Sequence, residues 1–152
     1  MKIAHRMKAE IKSLWVAALR GGEYTKGNGM LKTEATMDNS ACHCALGVLC
    51  ELYIKETGRG SWVSRNEWGD LSFRYRDGSA WLNSSFFPPQ EVVDWAGLSC
   101  VDPDILDDDE ALKEVEEIAG TEITRFNRSL TAANDKLDLS FEEIAARIDV
   151  NL

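Results

Sequence analysis

Apolar side chains recur every three or four positions near the start of the chain, and this spacing predicts a helix over residues 4–20. Gly21 and Gly22 follow the last apolar position and predict the end of the helix. A turn at residues 27–29 and a short strand over residues 30–35 are predicted next. The apolar positions of the helix are Met7, Ile11, Leu14, Trp15, Ala18 and Leu19.

A second helical pattern covers residues 41–56 and includes the segment CHCALGVLC, residues 42–50. The side chain of Ser40 is suited to cap the first turn of this helix. Gly47 lies within the pattern and would allow another backbone to approach the helix closely. The predicted core stripe consists of Cys42, Leu46, Leu49, Cys50 and Tyr53.

Apolar and polar residues alternate in the middle of the chain, which is the period of a half-buried strand. The stretch LSFRYR, residues 71–76, shows this alternation. The pair Asp77-Gly78 is the strongest hairpin signal in the sequence, so residues 80–85 are predicted to return antiparallel to the first strand. Residues 62–63 fit a third strand.

Helical patterns return in the last third of the chain. A short helix is predicted after Pro88-Pro89, and an acidic loop and helix end at Gly120. Ser140 and Glu143 have the spacing of a capping box and predict the start of a final helix. The inward positions are Val92, Val93 and Trp95 in the short helix, Ile123, Phe126, Leu130 and Ala133 in a further helix, and Phe141, Ile144, Ala145 and Ile148 in the final one.

These elements predict an α+β fold in which five to six helices pack on a small antiparallel β-sheet, as a single domain over residues 1–152. The chain is 44% hydrophobic, which suffices for one core in 152 residues. No apolar run approaches the roughly 18 residues of a membrane span, and the start of the sequence lacks the apolar region of a signal peptide. We therefore expect a cytoplasmic protein without a membrane partner, whose cysteines are reduced.

Charge is unevenly distributed along the chain, whose formal net charge is -9. Residues 1–101 carry 12 Lys and Arg against 11 Asp and Glu, whereas residues 102–152 carry 5 against 15. Such an acidic second half repels nucleic acid, so direct nucleic-acid binding is not expected. The run from Asp102 to Glu117 has two interpretations: an exposed, solubilising helix face, or a surface that imitates nucleic-acid phosphates and occupies a basic groove on another protein.

The segment CHCALGVLC holds three of the four cysteines and one of the two histidines, which raises the question of a metal site or a reactive thiol. On a helix, Cys42, His43 and Cys44 would point about 100° apart and could not converge on one metal ion. His43 and Cys50 would lie about 10 Å apart along the helix, too far for a base and its nucleophile. We expect a buried helix in which cysteine serves as a small apolar residue, with no metal and no cofactor.

Four stretches occur in a characteristic order: W-x2-ALRGGEYTKGNGML, CHCALGVLCELY, FFPPQEVVDWAGL and LTAANDKLDLSFEEIAARI. Together they resemble a widespread group of small proteins encoded by tailed phages and prophages. The chain departs from the group's pattern at His43, where the group often has Cys, and at Ala133, where the group has Leu before the Asn-Asp pair. The resemblance implies a phage accessory protein made in the bacterial cytoplasm, and such genes often counter host defence.

The clearest candidates for ligand contact are arginines interleaved with aromatic residues. Arg74 and Arg76 share one face of the predicted strand, and Arg65 and Trp81 are near them in sequence. Guanidinium groups pair with phosphates and aromatic rings stack on bases, so these side chains could form a nucleotide pocket. The alternative is a solvated strand face.

Two further groups are candidates with a structural alternative. Tyr24 and Lys26 border a glycine-rich loop that either holds a phosphate through backbone N–H groups or forms a simple turn. Asn134 and Asp135 lie between two predicted helices, where they either line a ligand pocket or cap the chain locally.

No nucleophile, base and orienting group can be combined from the sequence, so an enzyme with catalytic residues is not expected. Two functions remain open. The favoured one is a non-enzymatic phage protein that binds and sequesters a small nucleotide-type host defence signal. The alternative is an acidic inhibitor that binds a host defence protein through Asp102 to Glu117, or a phage protein with no anti-defence role. Whether the chain forms a homo-oligomer is open as well.

Overall fold

Five α-helices, a π-helical turn and six short strands form the part of the chain that the computed structural model describes, residues 6–35, 40–124 and 127–152. The fold is α+β, as the sequence predicts. In chain order the elements are α1 Ala9–Arg20, β1 Thr25–Lys26, β2 Lys32–Thr33, β3 Cys42–His43, α2 Ala45–Thr57, β4 Ser61–Ser64, β5 Leu71–Asp77, β6 Ala80–Ser84, α3 Gln90–Ala96, α4 Asp109–Ala119, the π-helical turn Ala132–Lys136 and α5 Phe141–Asn151.

Two three-stranded sheets are present in the described residues instead of the one that the sequence predicts. The first has the order β1-β3-β2, with β1 parallel and β2 antiparallel to β3. The second is the expected antiparallel meander β4-β5-β6, in which Arg76 lies opposite Trp81 and Phe73 lies opposite Trp62. The hairpin turn after Asp77 is therefore confirmed.

The helix predicted over residues 41–56 begins later than expected, and Ser40 is not its N-cap. Cys44 occupies the N-cap position, while Cys42 and His43 form β3. The segment CHCALGVLC thus divides into a strand, a cap and a helix because both neighbouring strands pair with Cys42 and His43. From Cys44 onward the interpretation of a buried helix is confirmed, since Ala45 through Cys50 are all buried.

The helix predicted through Ile123, Phe126, Leu130 and Ala133 is also wrong in its bounds. Ile123 is buried but not helical, and residue 126 lies outside the described residues. Helical conformation begins at Leu130 and widens into the π-helical turn. The first helix, predicted over residues 4–20, begins at Ala9, and residues 1–5 lie outside the described part of the chain. The strand predicted over residues 30–35 is limited to β2. Residues 36–39, which follow it, also lie outside the described part.

The core lies between α1, α2 and α5 and extends below the antiparallel sheet. Trp15 is fully buried at its centre, and its indole Nε1 donates a hydrogen bond to the carbonyl of Ala45 over 2.9 Å. A capping box formed by Ser140 and Glu143 begins α5, as the sequence predicts. Within the described ranges, no helix is long and apolar enough to cross a lipid bilayer.

Candidate functional site

The exposed face of the β5–β6 hairpin carries two arginines around one tryptophan. Arg74 and Arg76 lie two positions apart on β5 and therefore share a face, and Trp81 is the cross-strand partner of Arg76. The guanidinium carbons of Arg74 and Arg76 lie 4.5 and 5.8 Å from the centre of the Trp81 ring. Three of the predicted site residues are thus brought together by strand register, and the ring remains 55% exposed.

A cleft of about 490 Å³ adjoins this face. It lies between the β5–β6 hairpin, the loop that follows α2 and the first turn of α3. The backbone of this loop lies directly against the sheet at Gly60, because a Cβ there would lie 2.4 Å from the Phe73 ring. The side chains that matter most for its chemistry are Arg59, Tyr75, Arg76, Trp81 and Glu91.

Charges in the cleft are of both signs. The Arg59 guanidinium lies 3.4 Å from the Glu91 carboxylate, and Arg76 Nε donates a hydrogen bond of 2.9 Å to the carbonyl of Gly78. Below the cleft, burial together with the hydrogen bond and charge of Glu91 raises the pKa of Tyr53 to about 12. The cleft therefore offers two cations, aromatic surface and one anchored carboxylate.

Three of the residues that form this cleft are not among the site residues predicted from the sequence. Arg59 stands between two glycines after α2, Tyr75 belongs to the inward face of β5, and Glu91 lies on α3. The only local signal is the Gly-Arg-Gly sequence at residues 58–60, which resembles an ordinary helix end. Tyr75 is the chain neighbour of Arg76 on β5, but the approach of Arg59 and Glu91 to Arg76 depends on packing between distant parts of the chain.

Arg65, another predicted site residue, does not line the cleft. Its guanidinium carbon lies 4.8 Å from the centre of the Phe86 ring, and Nη1 approaches the sulfur of Met30 at 3.7 Å. Arg65 therefore belongs to a separate part of the surface and offers a control for experiments on Arg76.

Lys26, Asn134 and Asp135 come together with one another, but away from the cleft. Lys26 Nζ donates hydrogen bonds to the Asn134 carbonyl over 2.7 Å and to the Asp138 carboxylate over 2.9 Å. The Asp135 carboxylate accepts from the backbone N–H of Gly29 over 3.1 Å. These contacts join the glycine-rich loop to the π-helical turn across more than 100 residues of sequence, which neither a simple turn nor local capping describes.

Tyr24 also lies in this region, where it packs edge-on against the His43 ring with 5.1 Å between ring centres. His43 Nε2 donates to the Glu51 carboxylate over 3.2 Å, while Nδ1 is buried without a hydrogen-bond partner among the described residues. Lys32 Nζ lies 3.3 Å from the same carboxylate, and Trp62 Nε1 donates to it. The result is a polar cluster in which His43, Lys32 and Trp62 all meet the carboxylate of Glu51.

Burial alone would raise the pKa of Glu51, but the opposing contacts are stronger. Hydrogen bonds from His43 and Trp62, together with the positive charge of Lys32, lower the pKa of this carboxyl to about 2. The carboxylate is therefore ionised at every ordinary pH and ties β2, β3 and β4 to α2. Such a group is a structural anchor, because a proton acceptor with so low a pKa is a weak base.

The four cysteines are free thiols, and Cys44 and Cys50 are buried. Burial raises the pKa of the Cys44 thiol to about 11 and that of Cys50 well above its ordinary value. Neither therefore has the thiolate character of a nucleophile. In the described ranges, no group of three His, Cys, Asp or Glu residues is placed to hold a metal ion.

The acidic run from Asp102 to Glu117 is partly used inside the fold. Asp102 accepts hydrogen bonds from the backbone N–H and hydroxyl of Thr131, and Asp108 caps α4 while pairing with Arg147 over 2.9 Å. The exposed acids of the run are Asp104, Asp107, Asp109, Glu110, Glu114 and Glu117.

The chain belongs to the family described as a domain of unknown function (DUF8296), whose family model matches residues 7–152. The family model therefore covers nearly all of the chain, including the cleft and the contacts of Lys26 with Asn134 and Asp138. No curated protein and no solved structure matches it.

Proposed function

We propose that the chain is a non-enzymatic phage accessory protein whose cleft binds and sequesters a small nucleotide-type signal of host defence in the bacterial cytoplasm. The single observation that carries the binding proposal is the position of Arg76 and Trp81 on one wall of the cleft. A guanidinium beside an exposed aromatic ring suits a ligand that combines a phosphate with a flat base. The connection with phages and defence rests on the sequence resemblance.

The dimensions of the cleft fit this ligand class. Small-molecule sites usually enclose roughly 300–1,000 Å³, and this cleft has about 490 Å³. Arg59 on the opposite wall adds a second cation, so the phosphate could be held from two sides. Sequestration requires only tight binding, so the proposal assigns no catalytic residue to the cleft.

Native mass spectrometry tests this proposal on protein purified from bacteria with active nucleotide-signalling defences. The expected result is an adduct below about one kilodalton, the mass range of small nucleotides, which is absent from cells without those defences. Arg76→Ala and Trp81→Ala should each lose most of the adduct, whereas Arg65→Ala should retain it because Arg65 packs on Phe86 outside the cleft. An unliganded mass from both kinds of cell would contradict the proposal. The same spectra give the number of subunits.

A second candidate function is inhibition of a host nucleic-acid-binding defence enzyme by the acidic surface. The observation in its favour is α4, which exposes Glu110, Glu114 and Glu117 and leaves Ile118 54% exposed among them. An apolar side chain within a charged face is a common feature of protein interfaces. Replacing the three glutamates by Gln should abolish capture of a basic host protein while leaving a cleft-bound adduct intact.

A further inference from the structure

The cleft has a second lobe of different character. An adjoining cavity of about 420 Å³ shares Tyr75, Arg76 and Glu91 with the first, so these three side chains form a common wall. The first lobe also contains Arg59 and Trp81, whereas the second contains Asp77, Gln90 and Asp94. The two lobes thus divide into a cationic, aromatic end and an acidic end.

Opposite charges at the two ends restrict what can lie across them. The second lobe contains three carboxylates, from Asp77, Glu91 and Asp94. Their negative charge repels a phosphate, and because ionised carboxylates are acceptors only, a ligand group in this lobe must donate hydrogen bonds to them. The phosphate of a bound nucleotide must therefore lie near Arg59 and Arg76, and the group that extends toward the second lobe must present N–H donors.

Glu91 is the best placed of these carboxylates. It lines both lobes, and its Oε1 lies 3.4 Å from Nη1 of Arg59. Asp94 already accepts from Gln90 Nε2 over 2.8 Å, and Asp77 is exposed at the end of β5. A carboxylate fixed at the boundary between the lobes can meet the edge of a base that stacks on the aromatic wall.

We propose that the cleft selects guanine nucleotides, with the Glu91 carboxylate accepting two hydrogen bonds from the adjacent ring N–H and exocyclic amino group of guanine. This inference rests on the proposed nucleotide-binding function and names its ligand class. Two parallel N–H donors match the two oxygens of a carboxylate. Adenine presents a ring nitrogen acceptor at the equivalent position, which a carboxylate repels.

Guanine can bind Glu91 only if it displaces Arg59, which pairs with the same carboxylate, and this ion pair is weak enough to be displaced. Its atoms are 3.4 Å apart, and the Arg59 side chain is 75% exposed, so the pair contributes little to stability. A guanine base replaces the guanidinium on Glu91, and the released Arg59 then meets the phosphate of the same ligand. In the complex, Glu91 therefore keeps hydrogen-bond donors and Arg59 keeps a negatively charged partner.

Isothermal titration calorimetry with GMP, IMP and AMP on the full chain tests the inference. GMP should bind most tightly, IMP more weakly because it lacks the exocyclic amino group, and AMP most weakly. In Glu91→Gln the preference for GMP over AMP should fall by roughly tenfold to a hundredfold, since a hydrogen-bonded charge is replaced by a neutral amide. Glu91→Gln also removes the ion-pair partner of Arg59, which affects the binding of GMP and AMP alike. The ratio of the GMP and AMP affinities is therefore independent of this general effect.

Glu117→Gln is the matched control, because it removes the same charge from exposed α4 and should leave the ratio unchanged. Binding of GMP and AMP with equal affinity to the wild-type protein would overturn base selection by Glu91 and leave the proposed function standing. Failure of all three nucleotides to bind would overturn both. The wild-type ranking decides the matter even if Glu91→Gln folds poorly.

Discussion

Among the polar residues that the structure describes as buried, Asn134 is the most deeply buried, with 1% of its surface exposed. Its Oδ1 accepts a hydrogen bond from the backbone N–H of Ala45 over 3.2 Å, and its Nδ2 donates to the carbonyl of Gly27 over 2.9 Å and to the Asp135 carboxylate over 2.7 Å. One amide thus joins the start of α2 to the glycine-rich loop and the π-helical turn. A side chain whose polar atoms are all engaged in this way holds distant parts of the fold together.

Replacing this residue should therefore be costly. Asn134→Ala would leave the buried Ala45 N–H and the partly buried Gly27 carbonyl without these partners, and we expect a loss of about 2–4 kcal/mol in the free energy of unfolding. Urea denaturation measures the difference. The control is Asn83→Ala on exposed β6, for which a change below about 0.5 kcal/mol is expected. Equal effects of the two substitutions would refute the structural role.

Glu51 makes stability depend on acid pH. Its pKa is lowered to about 2 in the folded protein, so the stabilisation is present above the ordinary glutamate pKa of about 4.3 and is lost as the pH falls toward 2. Glu51→Gln should lower the free energy of unfolding at pH 7 by about 3 kcal/mol or less.

Unfolding curves for wild type and Glu51→Gln between pH 7 and pH 2 provide the measurement. The difference between the two proteins should shrink as the pH falls and nearly vanish at the acid end. Glu56→Gln, which changes an exposed residue of the same helix, should follow the wild-type curve throughout. A difference between wild type and Glu51→Gln that stays constant with pH would show that Glu51 is not stabilised as an anion.

Among the elements, α2 is positioned by a close contact at Gly47, although glycine is an unfavourable residue within a helix. A Cβ at Gly47 would lie 1.7 Å from the carbonyl oxygen of Leu31, so the loop before β2 passes directly against the helix backbone. Leu31 is itself fully buried. The close approach allows β2 and β3 to pair at the start of α2, which in turn positions His43 beside Glu51.

Gly47→Ala has two opposing effects on the free energy of unfolding, the better helix propensity of alanine and the clash of its methyl group with Leu31. The sign of the measured change shows which of them is larger. Alanine in a helix interior normally stabilises by about 0.5–1 kcal/mol relative to glycine, but here the added methyl group must displace the Leu31 backbone. We expect a loss of about 2 kcal/mol or more in urea denaturation. Ser13→Ala on the exposed face of α1 should instead leave stability unchanged or slightly higher. A gain in stability for Gly47→Ala would disprove the close approach.

For the whole molecule, the acidic second half is not a uniform solvent-facing surface. Asp108 accepts from the backbone N–H of Ala111 over 3.1 Å, from Arg147 over 2.9 Å and from Asn151 Nδ2 over 2.9 Å. The last two residues belong to α5, which packs along α1, so one carboxylate connects the acidic helix to the opposite side of the core. Its neighbour Asp109 is exposed and carries the same charge.

These adjacent acids should respond very differently to substitution. Asp108→Ala loses the helix cap and two contacts to α5, for which we expect a cost of about 2–3 kcal/mol. Asp109→Ala removes an equal charge and only a favourable interaction with the helix dipole, and it should cost less than about 1 kcal/mol. Thermal and urea unfolding of the two variants, compared in the same buffer, measure both values. Similar losses would mean that charge alone matters in this region.

The sequence determined the features that depend on near neighbours along the chain. Apolar periodicity correctly indicated α1, most of α2 and α5, the hairpin followed from Asp77-Gly78, and the capping box followed from Ser140 and Glu143. It also placed Arg74 and Arg76 on one face by strand alternation, whereas the position of Trp81 opposite Arg76 became known only from the observed strand register. These are local properties of backbone geometry and side-chain spacing.

Only the tertiary structure decided which polar residues meet. Arg59 and Glu91 complete the cleft from the end of α2 and from α3, while Asn134, a candidate ligand contact, became a buried connection between distant loops. The strand at Cys42 and His43 likewise depends on partners 17 residues before them, since Thr25 pairs with Cys42 and Lys26 with His43. The physical reason is that the net energies of such hydrogen bonds and ion pairs arise from burial and long-range packing, which no local pattern of residues encodes.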